Sequence, residues 1–133
     1  MPSGYLLLLG LTAWYFLLLM LMGAMRISLV LRKKHNLRFL VGGEDVSPFA
    51  QRLSRAHANC LENLPFVIAL VVVATGTSQL NVLEGLSLVF LLLRVAQTIT
   101  HLCSTGSYAI LLRFLFFSLQ CAILIYWFFL LVL

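Results

Sequence analysis

Long apolar runs broken by short polar stretches dominate the pattern of this chain. From Gly4 to about Val30 the sequence is almost unbroken (YLLLLGLTAWYFLLLMLMGAM), with Arg26 as its only charge. A second run starts at Pro48, polar in its first turns and then LPFVIALVVVA, and two more cover about 82–102 and 108–132. These runs predict four helices over 4–30, 48–75, 82–102 and 108–132, each holding the ~20 residues that a hydrocarbon core of ~30 Å requires. Helices satisfy every backbone donor within the segment, which lipid demands. No sustained polar–apolar alternation suggests strands of a barrel. The expected architecture is all-α, a four-helix membrane bundle forming one domain over residues 1–133.

The connections follow from the same pattern. Residues 31–47 (LRKKHNLRFLVGGEDVS) form the one sizeable loop, with Gly42-Gly43 expected as its flexible point. Ser47-Pro48 predicts a helix start, because Ser caps free N–H groups and Pro suits the first helical position. TGTSQLN at 75–81 and CSTGS at 103–107 read as tight turns. The first run reads as a true span rather than a cleaved leader: MPSGY has no basic residue, and the apolar stretch is too long.

Composition changes the picture only by confirming the solvent. The chain is 62% hydrophobic and 10% charged, with a mean hydropathy of +1.07. An ordinary soluble domain carries about a quarter charged residues, so a globular surface could not be covered here. The net charge of +5 is explained by topology and needs no nucleic acid. Arg32, Lys33, Lys34 and Arg38 crowd the first loop, whereas the turn at 75–81 has no Lys or Arg. The positive-inside rule then places the first loop in the cytoplasm and both termini outside. Cys60, Cys103 and Cys121 show no CxxC spacing, and nothing in the chain calls for a metal.

The chemistry lies in polar residues that membrane helices usually lack. An ionisable group at mid-bilayer costs about 2.5–3.5 kcal/mol or more and tends to mark a functional site. Here these are Arg26 on helix 1, Arg52, Arg55, His57, Asn59 and Glu62 on helix 2, Arg94, Gln97 and His101 on helix 3, and Arg113 on helix 4. At ~100° per residue, Arg52, Arg55, Asn59 and Glu62 fall within an arc of about 80°, and Arg94, Gln97 and His101 share a similar face. His57 points away from the helix 2 stripe. In the expected topology all these groups lie towards the cytoplasmic ends of their helices, and cations outnumber the one carboxylate. Such a level of the bilayer suits an anionic cytosolic ligand.

Plainer roles stand beside that reading. Arg52 and Arg113 are near enough to an interface to snorkel. Glu62 could be a structural partner of Arg26 or Arg94, and Asn59 could be interhelical glue. His57 fits packing or a subunit contact.

The segment RLSRAHANCLENLP at 52–65 resembles the signature of the MAPEG superfamily, the membrane-associated proteins of eicosanoid and glutathione metabolism. The match covers Arg52, Arg55, Ala56, His57, Asn59, Glu62 and Pro65. Arg26 followed by LRKKH at 31–35, the GG-acidic loop and Arg94 with its polar face support it. The loop length is similar to that of the bacterial branch, which implies a bacterial inner membrane.

The resemblance implies a homotrimer that binds glutathione between neighbouring subunits near the cytoplasmic face. Arg55, Asn59 and Glu62 would hold the tripeptide, Arg26 would come from the adjoining subunit, and Arg94 and His101 would line the pocket. Arg113 is the counterpart of a helix 4 arginine that stabilises the thiolate, and so the catalytic candidate. The implied activity is a detoxifying transferase or peroxidase acting on lipophilic electrophiles or lipid hydroperoxides that arrive from the bilayer. Gln97 and His101 depart from the Tyr or His and the Tyr common in eukaryotic members, which leaves Tyr108 as a possible substitute phenol. Two other readings remain: a non-catalytic lipid-binding or scaffold protein of the same fold, and a small multidrug transporter. The last fits less well, because helix 1 lacks the embedded carboxylate such transporters use.

Overall fold

A computed structural model describes residues 1–33, 36–43, 45–104 and 106–133. Lys34 and His35 of the basic loop, Glu44 after the glycine pair and Thr105 of the last turn lie outside the described residues. The described chain is helical, with α1 at Ser3–Leu31, α2 at Pro48–Glu62, α3 at Leu64–Gly76, α4 at Ser87–Cys103 and α5 at Ser107–Val132. A single 3₁₀ turn, Leu80–Leu83, precedes α4.

α1, the joined segment Pro48–Gly76 and α5 are each long and apolar enough to cross a membrane, and α4 is a shorter apolar helix. Two features differ from the sequence reading. The second span is broken at Asn63, because Pro65 near the start of α3 has no N–H to continue the ladder from α2. The third begins at Ser87 rather than near 82, since extended Glu84 and Gly85 (φ +87°) separate it from the 3₁₀ turn.

The helix start at Ser47-Pro48 forms as expected, with Ser47 Oγ accepting from the Ala50 N–H at 3.0 Å. Gly43 of the glycine pair serves a close approach that only glycine permits. Its φ is +75°, it is buried, and a Cβ there would sit 2.8 Å from the backbone of Ala50. The loop is pinned against the first turn of α2 by that close approach.

The bundle is apolar on both sides of its helices, as lipid requires. Leu7, Leu11, Tyr15 and Leu18 turn one face of α1 inward against Leu53, Val67, Val71, Phe90, Ile123 and Trp127. Leu6, Leu9, Phe16, Leu17 and Met20 of the same helix remain exposed. With no hydrophobic drive between helices in lipid, close packing has to hold them. Gly10 supplies it for α1 and α4: a Cβ there would lie 2.7 Å from Leu91 Cδ2. At one end of the bundle the Tyr5 hydroxyl meets Thr75 Oγ1 at 3.1 Å. At the other, Arg52 of α2 reaches the end of α4. The second end holds the polar residues.

Candidate functional site

The two faces of α2 divide cleanly. Ala50, Leu53, Ala56 and Cys60 recur at helical spacing and are buried. The stripe predicted from the sequence lies on the other side: Arg55 and Glu62 are exposed, and Arg52 and Asn59 are half-buried. Glu62 makes no ion pair with Arg26 or Arg94 among the described residues of the single chain. Arg26 is instead half-buried, with its guanidinium 5.5 Å from the Phe39 ring centroid, a cation–π contact that ties the loop to α1. His57 is half-buried, off the stripe as expected.

α4 presents its polar face to the interior. Arg94, Gln97, Thr98 and His101 are all buried, Arg94 to 1% exposure and His101 to 6%. Gln120 of α5, fully buried, joins them. Its Oε1 accepts from Arg94 Nη1 at 3.2 Å and from Asn63 Nδ2 at 2.9 Å, and its Nε2 donates to Gln97 Oε1 at 2.7 Å. One amide therefore links the α2–α3 break, α4 and α5. Cys60 shares a 3.3 Å hydrogen bond with Thr98 Oγ1 and lies beside the Arg94 guanidinium, with Tyr15 also within its electrostatic reach. Arg94 Nε and Nη2 and the Tyr15 hydroxyl are sealed from solvent without a hydrogen-bond partner.

His101 is where the cations meet. Arg113 from α5, Arg55 from α2 and Arg94 from α4 all act on it electrostatically, Arg113 most strongly. Its Nδ1 is buried and unpartnered, and so is Nε of the half-buried Arg113. Three guanidinium groups from three helices thus act on one imidazole, and no carboxylate among the described residues acts on it alongside them. An arrangement of this kind attracts an anion and favours the ionised form of any acidic group that enters.

Of the residues chosen from the sequence, Arg55, Arg94, His101 and Arg113 come together. Asn59 and Glu62 lie on the open face of α2, and Arg26 is engaged with the loop. Arg94 approaches from the interior rather than from the open face. Tyr108 is exposed at the start of α5, with no contact that ties it to His101. Sequence reasoning passed over Gln120, Asn63, Tyr15 and Cys60. One signal was available: Gln120 is the only amide in the apolar run of α5, seven residues and so two turns from Arg113.

Helices that cross a membrane, with a cationic cluster gathered at one end of the bundle, define a polytopic α-helical membrane protein. The family model described as "MAPEG family" matches residues 5–133, nearly the whole chain. The chain belongs to the MAPEG family. No curated protein and no solved structure matches it.

Proposed function

We propose that the protein is a glutathione-dependent transferase or peroxidase of the membrane, active as a homotrimer. The observation that carries the reading is the convergence of Arg55, Arg94 and Arg113 on His101 beside an α2 stripe left open by its own chain. Family membership supports it, since the family includes glutathione transferases and peroxidases as well as non-catalytic members. Glutathione is an anion at neutral pH, and its thiol becomes a nucleophile when cations favour the thiolate. Arg55, Asn59 and Glu62 bind the tripeptide, with Glu62 gripping its amino group. His101 lines the pocket, and Arg26 of a neighbouring subunit closes it. Arg113 stabilises the thiolate, and Arg94 adds its charge from behind. A lipophilic electrophile or hydroperoxide then reaches the sulfur from the bilayer.

Burial argues for the assembly. Arg55 and Glu62 are exposed on a single chain, a costly state for any charge facing lipid. Packing of a second and third copy over α2 removes that cost. In the membrane, the basic first loop and the site lie on the cytoplasmic side of a bacterial inner membrane.

The test is a titration of thiolate absorbance for bound glutathione, with wild type and Arg113→Ala side by side. An ordinary thiol has a pKa of about 8.5, and removing a cation raises a depressed value. Arg113→Ala is therefore expected to form thiolate only at higher pH, with binding nearly intact. Equal thiol pKa values would remove Arg113 from the mechanism. Absence of glutathione binding by the wild type would favour the lipid-binding or scaffold reading.

A further inference from the structure

A buried arginine is usually held by a carboxylate, because a guanidinium cannot shed its proton and a lone charge in a dry interior is costly. Arg94 is only 1% exposed, yet among the described residues no acidic side chain is buried with it. The acidic side chains among the described residues, Asp45, Glu62 and Glu84, are all exposed. What Arg94 has instead is an amide relay of Gln120, Asn63 and Gln97.

The choice of amide has a chemical consequence. Gln120 Oε1 satisfies one guanidinium donor and fixes its direction, but it carries no charge to cancel. If Arg94 served only to hold α4 to α5, a carboxylate would hold it more strongly through a charge-assisted bond. The amide leaves the positive charge unspent, and that charge already acts on His101 and Cys60.

We infer that Gln120 is a positioning residue that holds the Arg94 guanidinium in place without neutralising it, so that its field reaches the anion bound beside His101. This role rests on the glutathione reading, and the anion concerned is the glutathione thiolate. Gln120 touches neither glutathione nor the reacting sulfur. It acts through Arg94, and also sets the rotation of α5 that presents Arg113 two turns away.

Gln120→Glu separates the two roles. The carboxylate keeps the acceptor for Arg94 and adds an ion pair, so the assembled protein should melt at the same temperature as wild type or higher. Function should move the other way. The bound glutathione thiol should ionise about one pH unit higher, as loss of one nearby positive field implies. The dissociation constant for glutathione should rise by about threefold to tenfold. A merely structural role predicts that stability and thiol ionisation follow each other. The experiment is a thiolate titration with glutathione on wild type and variant in detergent, paired with thermal unfolding.

Thiolate titrating alike in both proteins removes the role of Gln120 and leaves the glutathione reading standing. No thiolate or binding in the wild type takes that reading away, and this inference with it. Should Gln120→Glu not assemble, Gln97→Glu carries the same test. Its carboxylate keeps the bond from Gln120 Nε2 and lies one turn from Arg94. Failure of both variants to assemble overturns the inference, which requires that the interior accept a counter-charge.

Discussion

Arg52, in the second turn of α2, donates from Nε to the carbonyl oxygen of Leu102 at the end of α4, 2.9 Å away. That carbonyl is among the last four of its helix, which have no partner within the helix. A cation there also complements the negative end of the helix dipole. The guanidinium lies 5.9 Å from the ring centroid of Phe49, one turn earlier in α2. Arg52 is thus a tie between two helices rather than a side chain that snorkels to the headgroups. Arg52→Ala is expected to cost about 1.5–3 kcal/mol, the range for a hydrogen bond to a charged group. Thermal unfolding of the assembled protein checks it, and an unchanged melting temperature would return Arg52 to the interface.

Gly43 makes a sharper prediction. Gly43→Ala places a Cβ 2.8 Å from the Ala50 backbone and forces a positive φ on a residue with a side chain. Left-handed strain of this kind costs about 1–3 kcal/mol, before any clash is counted. The loop should detach from α2 and become a protease target. Gly76→Ala, with open space around it, is the matched control and should leave cleavage unchanged.

Glu62 and Arg55 distinguish binding from assembly. Arg55→Ala should weaken glutathione binding by about tenfold to a hundredfold, because a charge-assisted contact is lost. Glu62→Gln should weaken it similarly while the protein keeps its mass in mild detergent. If Glu62→Gln instead yields monomers, its carboxylate holds subunits together and does not grip the ligand. Equilibrium dialysis and detergent-corrected mass measurement on the same samples decide between these outcomes.

How much of this was legible in the sequence follows from what each kind of residue reports. Apolar runs report spans, because lipid penalises every charge, and so the bundle was within reach, whereas the break at Asn63 was not read, since the apolar run continues through Pro65. The stripe of Arg52, Arg55, Asn59 and Glu62 was legible from helical spacing alone. Spacing does not say which face looks inward, since both faces of a membrane helix are apolar elsewhere. Arg94 therefore read as a pocket residue, although its side chain points into the core. Gln120 was overlooked because one amide in a long apolar run carries no periodic signal. Gly43 shows a different limit: composition marks glycine as flexible, but its positive φ and tight approach to Ala50 emerge only in the fold.

Orientation gives a further prediction. With Lys and Arg in the first loop and none at residues 75–81, the positive-inside rule predicts that the loop faces the cytoplasm. A reporter fused after Leu133 is expected to be active only outside the cytoplasm. Cytoplasmic activity of that fusion would reverse the topology and, with it, the side from which the proposed glutathione would arrive.

The short α4 bears on the shape of the surrounding bilayer. Its 17 residues rise about 25 Å at about 1.5 Å per residue, less than a hydrocarbon core of about 30 Å. α1 and α5, with 29 and 26 residues, both exceed that thickness. Such a mismatch is met by thinning of the lipid next to the shorter element. Headgroups and water are then drawn down towards the ends of α4, and His101 stands in its last turn. On the glutathione reading, a hydrophilic tripeptide would not need to dissolve in oil to meet this imidazole, because a thinned bilayer would bring the aqueous phase to it.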